Sequence, residues 1–71
     1  MAAKKDYTAI TRSGYGANTS TRIIRTTDYY TSKKAFADDI RGNGLRVVYI
    51  FDHIADDFEV EEWLFWNRKN G

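Results

Sequence analysis

The sequence predicts a small α+β domain with the element order β-β-α-β-α and a three-stranded, mainly antiparallel sheet that carries the helices. Three observations support this fold class. Residues 31–52 combine helix caps, a glycine stop and an apolar strand, residues 6–27 are rich in Thr, Ile and Arg around a short glycine turn, and an aromatic segment follows residue 57. The alternative is ββαββ, in which the C-terminal segment forms a fourth strand.

The first two strands are expected to form a hairpin. Residues 6–12 alternate weakly, residues 13–18 contain two glycines, and residues 19–27 are a second β-rich segment. The short loop favours antiparallel pairing, although the alternation leaves open whether Ile23 or Ile24 faces the core. We expect residues 1–5 to be a flexible tail and residues 6–71 to form a single α+β domain.

The central helix is predicted by its two ends. A Thr-Ser pair at positions 31–32 supplies N-cap oxygens for the free amides of the first turn. Phe36 and Ile40 are four residues apart and therefore share one face. Asn43 and Gly44 then end the helix, because both tolerate the left-handed backbone of a C-cap.

The strand that follows this helix is apolar on both faces. Strict alternation places Leu45, Val47, Tyr49 and Phe51 on one face, and Val48 and Ile50 on the other. A strand of this kind is usually interior to its sheet or covered on both sides. The remaining elements are therefore expected to cover it.

The C-terminal segment can be read in two ways. Acidic residues come early in it and Arg68 and Lys69 come late, as the helix dipole favours, so we expect a helix. Its aromatic and β-branched content supports the strand of the alternative topology. In either form the segment is apolar on more than one side, and burial of one side leaves another exposed.

Composition excludes several functional classes. The 71 residues contain no cysteine, so neither a disulfide nor a thiolate metal site is available. No apolar run approaches the roughly 20 residues of a membrane span, and the N-terminus lacks the apolar core of a secretory signal. We therefore expect a cytoplasmic protein without membrane contact. A chain of this size has a small core, which the 15% aromatic content must fill.

The charge is divided unequally along the chain. Residues 1–46 contain nine Lys or Arg and four Asp, a net charge of +5, whereas residues 47–71 contain two Lys or Arg and six Asp or Glu, a net charge of −4. The division is typical either of a binding face or of two halves that neutralise each other in the fold.

The basic half contains a candidate nucleic-acid-binding set: Arg12, Arg22, Arg25, Lys33 and Lys34. Together with nearby tyrosines these residue types suit phosphate contact and base stacking. Arg22 and Arg25 are three residues apart and so point to opposite faces of a regular strand. The net charge of +1 is low for such a domain. A solvated sheet face is the simpler interpretation.

No pattern in the sequence predicts catalysis, a metal or a cofactor. His53 is the only histidine, and its neighbour Asp52 suggests an oriented base, but no nucleophile or ligand spacing accompanies the pair. The two glycine pairs match neither the dinucleotide nor the P-loop pattern. We expect a protein that is not an enzyme.

The strongest functional prediction concerns four partner-binding aromatic residues: Phe58, Trp63, Phe65 and Trp66. Trp and Phe are typical interface anchors. The aromatic segment is therefore expected to bind another protein or a second copy of this chain, as a homodimer. The alternative is that these residues fill the core. We expect this interaction module to be a regulator or inhibitor. In size and composition the chain resembles small proteins of bacterial mobile elements such as phages.

Overall fold

The computed structural model describes the backbone of residues 3–70 and the side chains of residues 3–67. Its elements are β1 (Lys5–Ser13), a short 3₁₀ turn (Gly16–Asn18), β2 (Ser20–Tyr30), α1 (Lys33–Gly42), β3 (Arg46–Phe51) and α2 (Asp57–Asn70). The predicted order β-β-α-β-α is confirmed, and the C-terminal segment is a helix. Of the expected tail, residues 1 and 2 lie outside the described residues, and β1 already begins at Lys5.

The sheet is antiparallel and has the order β2-β1-β3. β1 is therefore the central strand, with five consecutive buried residues, Tyr7, Thr8, Ala9, Ile10 and Thr11. Among the described strands β3 pairs only with β1, so of the two expectations for β3 the structure confirms coverage on both sides rather than an interior position. Val47 and Ile50 pack in the cluster with Phe36 of α1, and Phe51 packs in the cluster with Val60 of α2. β1 can be the central strand although it is rich in threonine. The buried hydroxyls of Thr8 and Thr11 are hydrogen-bonded, which removes the cost of burying them.

The two helices lie on opposite faces of the sheet. Ala9 and Ile10 are consecutive in β1 and so point to opposite sides. Ala9 belongs to a cluster with Phe36 and Ile40 of α1, whereas Ile10 belongs to a cluster with Val60 of α2. The register also answers the question left open in β2: Ile24 packs on the α1 side and Ile23 on the α2 side.

A β-bulge changes the faces of β3. Ile10 pairs with Tyr49, but the next residue, Thr11, pairs with Val47, so Val48 has no direct partner on β1. The extra residue interrupts the strict alternation that the sequence predicts for β3. As a result Val47 and Ile50 both pack on the α1 side, which corrects the predicted assignment of these two residues to opposite faces.

The ends of α1 follow the predicted capping chemistry. The Ser32 side chain accepts a hydrogen bond from the backbone amide of Ala35 at 3.1 Å. At the other end Asn43 is the C-cap, and Gly44 follows it with a φ of +82°, a conformation that glycine adopts without steric cost. Between the caps, Phe36 and Ile40 form the predicted buried face.

The Thr8 hydroxyl fixes the connection between β3 and α2. Its Oγ1 donates to the carbonyl oxygen of His53 and accepts from the backbone amide of Ala55, both at 2.8 Å. Arg25 adds a bond from Nε to the carbonyl oxygen of Ala55 at 2.7 Å. Asp56 then accepts from the amide of Glu59 at 2.8 Å, as an N-cap does. These bonds set where α2 begins on the sheet.

Replacement of Thr8 by Val should therefore destabilise the fold strongly. The side chain keeps its shape, but the carbonyl of His53 and the amide of Ala55 lose their partner, and we expect a loss of about 2–3 kcal/mol in the free energy of unfolding. Urea denaturation measures this loss. Thr21→Val is the matched control at an exposed position of β2, with an expected change within about 0.5 kcal/mol. Equal effects of the two substitutions would contradict the role of the Thr8 hydroxyl.

Candidate partner-binding surface

One side of α2 packs on the sheet. Val60 is only 3% exposed, and the half-buried Trp63 and Leu64 pack against the same cluster. The Trp63 ring stacks on the Tyr49 ring of β3, with 4.9 Å between centroids and 25° between planes. Of the four aromatic residues predicted to bind a partner, Trp63 therefore contributes to the packing of α2.

The other three predicted residues are exposed. The exposed fractions are 74% for Phe58, 59% for Phe65 and 52% for Trp66. Phe58 and Phe65 are seven residues apart, about two helical turns, and so point the same way, opposite to Val60. We call Phe58, Phe65 and Trp66 the outer face of α2. Ile54, just before the helix, adds further apolar surface at 41% exposure.

Acidic side chains lie on and beside the outer face. Glu61 and Glu62 are exposed. Glu62 is four residues from both Phe58 and Trp66 and so lies between them on the outer face, whereas Glu61 lies at its edge. The first turn adds Asp57, whose side chain is 91% exposed although it forms an ion pair with Arg25. The outer face of α2 thus combines aromatic side chains with the carboxylate of Glu62 between them and further negative charge around its N-terminal half.

Three of the five predicted nucleic-acid-binding cations form ion pairs within the fold. Arg25 reaches Asp57 at 2.8 Å, and Lys33 and Lys34 reach Asp52 and Asp38, both at 2.9 Å. The hydrogen bond from Lys33 to Asp52 raises the pKa of this lysine, and the hydrogen bond from Lys34 lowers the pKa of Asp38. Part of the charge division along the sequence is therefore neutralised internally.

The other two cations lie on opposite faces of the sheet. Arg22 pairs across the sheet with Thr11, while Arg12 pairs with Thr21, and Thr11 and Arg12 are consecutive in β1. Arg22 borders a groove of about 390 Å³ between β2 and α1. The structure therefore does not bring the five predicted cations together on one surface.

The Asp52–His53 pair is not assembled as a base with an orienting carboxylate. Asp52 faces Lys33, and it is Glu59 that lies 2.7 Å from Nε2 of His53. Among residues 3–70 there is no group of three or more His, Cys, Asp or Glu that could hold a metal ion. Within the same residues no helix has the length and hydropathy needed to cross a membrane.

Two residues that the sequence did not single out join the candidate sites. Tyr49 stacks on Trp63, a contact that depends on how α2 crosses the sheet. Arg46 pairs directly with Arg12 across β1 and β3, a position that depends on the bulge at Val48. The sequence pattern missed both because the first contact depends on the path of α2 and the second depends on the bulge.

Comparisons of the chain with protein-family models, curated proteins and solved structures give no match. Its function is therefore inferred from side-chain chemistry and geometry.

Tyr30 lies in the groove between β2 and α1 and is the one tyrosine among the described residues whose pKa is strongly raised. The Tyr30 hydroxyl donates to Oδ2 of Asp39 at 2.7 Å. This hydrogen bond stabilises the protonated phenol and raises the pKa of Tyr30 to about 12. The bond ties the end of β2 to α1.

The Tyr30–Asp39 bond predicts a loss of stability at high pH. Because the pKa of Tyr30 is higher in the folded chain than the usual value of about 10, its contribution is complete below that pH. The contribution is lost as the pH rises to about 12. NMR of ¹³C-labelled tyrosine measures the pKa, and Asp39→Asn should lower it while the neighbouring Asp38→Asn leaves it unchanged. A native Tyr30 with a pKa near the usual tyrosine value of about 10 would contradict the bond.

Proposed function

We propose that this chain is a non-enzymatic interaction module, a regulator or inhibitor, that binds a partner protein through the outer face of α2. The observation that supports the proposal is the exposure of Phe58, Phe65 and Trp66 on one helix. Burial of a large apolar side chain is worth about 1.5–3 kcal/mol, so a partner that covers this strip gains several such contributions.

The division of the aromatic residues in α2 also supports a binding role. Val60 and the Tyr49–Trp63 stack already attach the helix to the sheet. The fold therefore does not require an aromatic side chain at position 58, where a polar residue would solvate the helix better. Exposed aromatic residues at the same side of a helix are the usual anchors of helix-in-groove recognition.

The charge beside this strip indicates the chemistry of the partner. Glu62 lies on the strip between Phe58 and Trp66, Glu61 lies beside it, and Asp57 extends the negative surface to the first turn. A partner surface with apolar side chains and Lys or Arg at its rim complements this arrangement. Two copies in parallel would place these acids against each other. We therefore favour a basic, apolar partner protein over a second copy.

Selection of random displayed peptides on the immobilised chain tests the proposal. We expect the selected peptides to combine apolar residues with Lys or Arg. The double variant Phe58→Ser/Phe65→Ser should bind them at least about tenfold more weakly, a loss of about 1.4 kcal/mol, because it removes two anchors. Glu61→Lys/Glu62→Lys should also weaken binding, since it reverses the charge of the rim.

Tyr29→Ser is the matched control, because Tyr29 is 66% exposed but belongs to β2. It should leave peptide binding unchanged, and circular dichroism should show that all variants remain folded. Sedimentation across a concentration series shows whether a second copy of the chain covers the outer face of α2. If the native chain dimerises while the Phe58/Phe65 double variant stays monomeric, the surface binds a second copy and not a partner protein. Peptides that bind the double variant as well as the native chain would overturn the proposal.

A further inference from the structure

Two arginines face each other at the end of the sheet that carries the β1–β2 turn. Arg12 of β1 and Arg46 of β3 are direct cross-strand partners, and both are exposed. Like charges directly opposite each other on a sheet are destabilising. Within residues 3–67 neither guanidinium forms an ion pair with a carboxylate. The register therefore places two arginines that form no carboxylate ion pair within the described residues on neighbouring strands at this end of the sheet.

The hairpin turn orients one of these two side chains. Nη2 of Arg46 donates to the carbonyl oxygen of Gly14 at 2.9 Å. Its guanidinium carbon also lies 5.7 Å from the centroid of the Tyr15 ring, in a cation–π arrangement. Gly14 has a φ of +86°, and a Cβ there would collide with the carbonyl oxygen of Asn18. The turn thus depends on glycine, and it places both the acceptor and the aromatic ring beside Arg46.

A concave surface adjoins the arginine pair. A pocket of about 200 Å³ is bounded by Arg12 together with Val48, Trp63, Leu64 and Asn67. The Tyr15 ring, at the other side of Arg46, is 85% exposed. One end of the molecule therefore carries two arginine side chains, a pocket and an exposed aromatic ring.

We propose that this end binds the phosphate backbone of a single-stranded nucleic acid. Guanidinium groups bind phosphate oxygens through paired hydrogen bonds. A bound phosphate between Arg12 and Arg46 removes the repulsion of the unliganded pair. Tyr15 supplies a stacking surface for an adjacent base, which every nucleotide can use. The site is distinct from the predicted cation set, four members of which lie outside it, and it does not depend on the outer face of α2.

The exposed ring favours a nucleic acid over a simple anion. A free phosphate needs only the cations, and it gains nothing from an aromatic side chain that is 85% exposed. A nucleotide chain uses both groups, because its charges and its bases alternate along the strand. Arginine pairs of this kind contact the backbone and so confer no base preference.

Fluorescence anisotropy with a short fluorescein-labelled oligothymidylate at low salt tests this site. We expect Arg12→Gln and Arg46→Gln each to weaken binding about tenfold. Each should also reduce the dependence of log affinity on log salt concentration by about 0.7. Arg22→Gln is the matched control, an exposed arginine on the opposite face of the sheet, and it should bind like the native chain. Thermal melting should show that Arg12→Gln is at least as stable as the native chain, because it removes a repulsion.

Tyr15→Leu separates a nucleic acid from a free anion. It should weaken binding of the oligothymidylate about fivefold or more through lost stacking, while competition by inorganic phosphate remains unchanged. If Tyr15→Leu leaves oligothymidylate binding unchanged, the proposal that a nucleic acid occupies the site is wrong. Absence of binding by the native chain at low salt, or an equal loss with Arg22→Gln, would overturn the site.

Discussion

The hydroxyl group of Thr8 is the constraint on which the arrangement of the second helix depends. Thr8 is fully buried in the central strand, where an unpaired hydroxyl would cost free energy. Its two hydrogen bonds to the backbone of the β3–α2 connection satisfy the group and attach that connection to the sheet at the same time. Arg25 strengthens the attachment from the neighbouring strand through Ala55 and Asp57. The same hydrogen bonds thus offset the cost of burying the Thr8 hydroxyl and determine which side of α2 packs on the sheet.

The outward aromatic surface is a consequence of this attachment. With α1 on one face of the sheet, α2 covers the other face through Val60, Trp63 and Leu64. A three-stranded sheet offers too little area to bury the remaining aromatic residues of the helix, as is usual for so short a chain. Phe58 and Phe65 therefore stay outside. At the far end of the sheet, the bulge in β3 brings Arg46 opposite Arg12. Both candidate surfaces follow from how the sheet is covered and paired.

The local sequence was sufficient to predict the two helices. Features that depend on how the strands and helices pair could not be predicted from it. Ser32 and Gly44 revealed the ends of α1, because capping depends on neighbouring residues only. The central position of β1 was not predicted, since its threonines read as polar until their buried acceptors are known. Which aromatic residues of α2 face outward was not predicted either: Trp63 and Phe65 are near in sequence but differ in burial. The ion pairs of Lys33 and Arg25 join the basic and acidic halves of the chain, as one interpretation of the charge division allowed, but the charge pattern could not show which residues pair.

In this fold α2 rests on the sheet through Trp63 and presents Phe58 and Phe65 to solvent. Solution NMR with a soluble paramagnetic agent tests it directly on the native chain. We expect nuclear Overhauser contacts between the rings of Trp63 and Tyr49, because these rings stack at 4.9 Å. We also expect strong paramagnetic broadening of the Phe58 and Phe65 rings, with little effect on Val60. Rings of Phe58 and Phe65 that are protected from the agent and contact the sheet would contradict it.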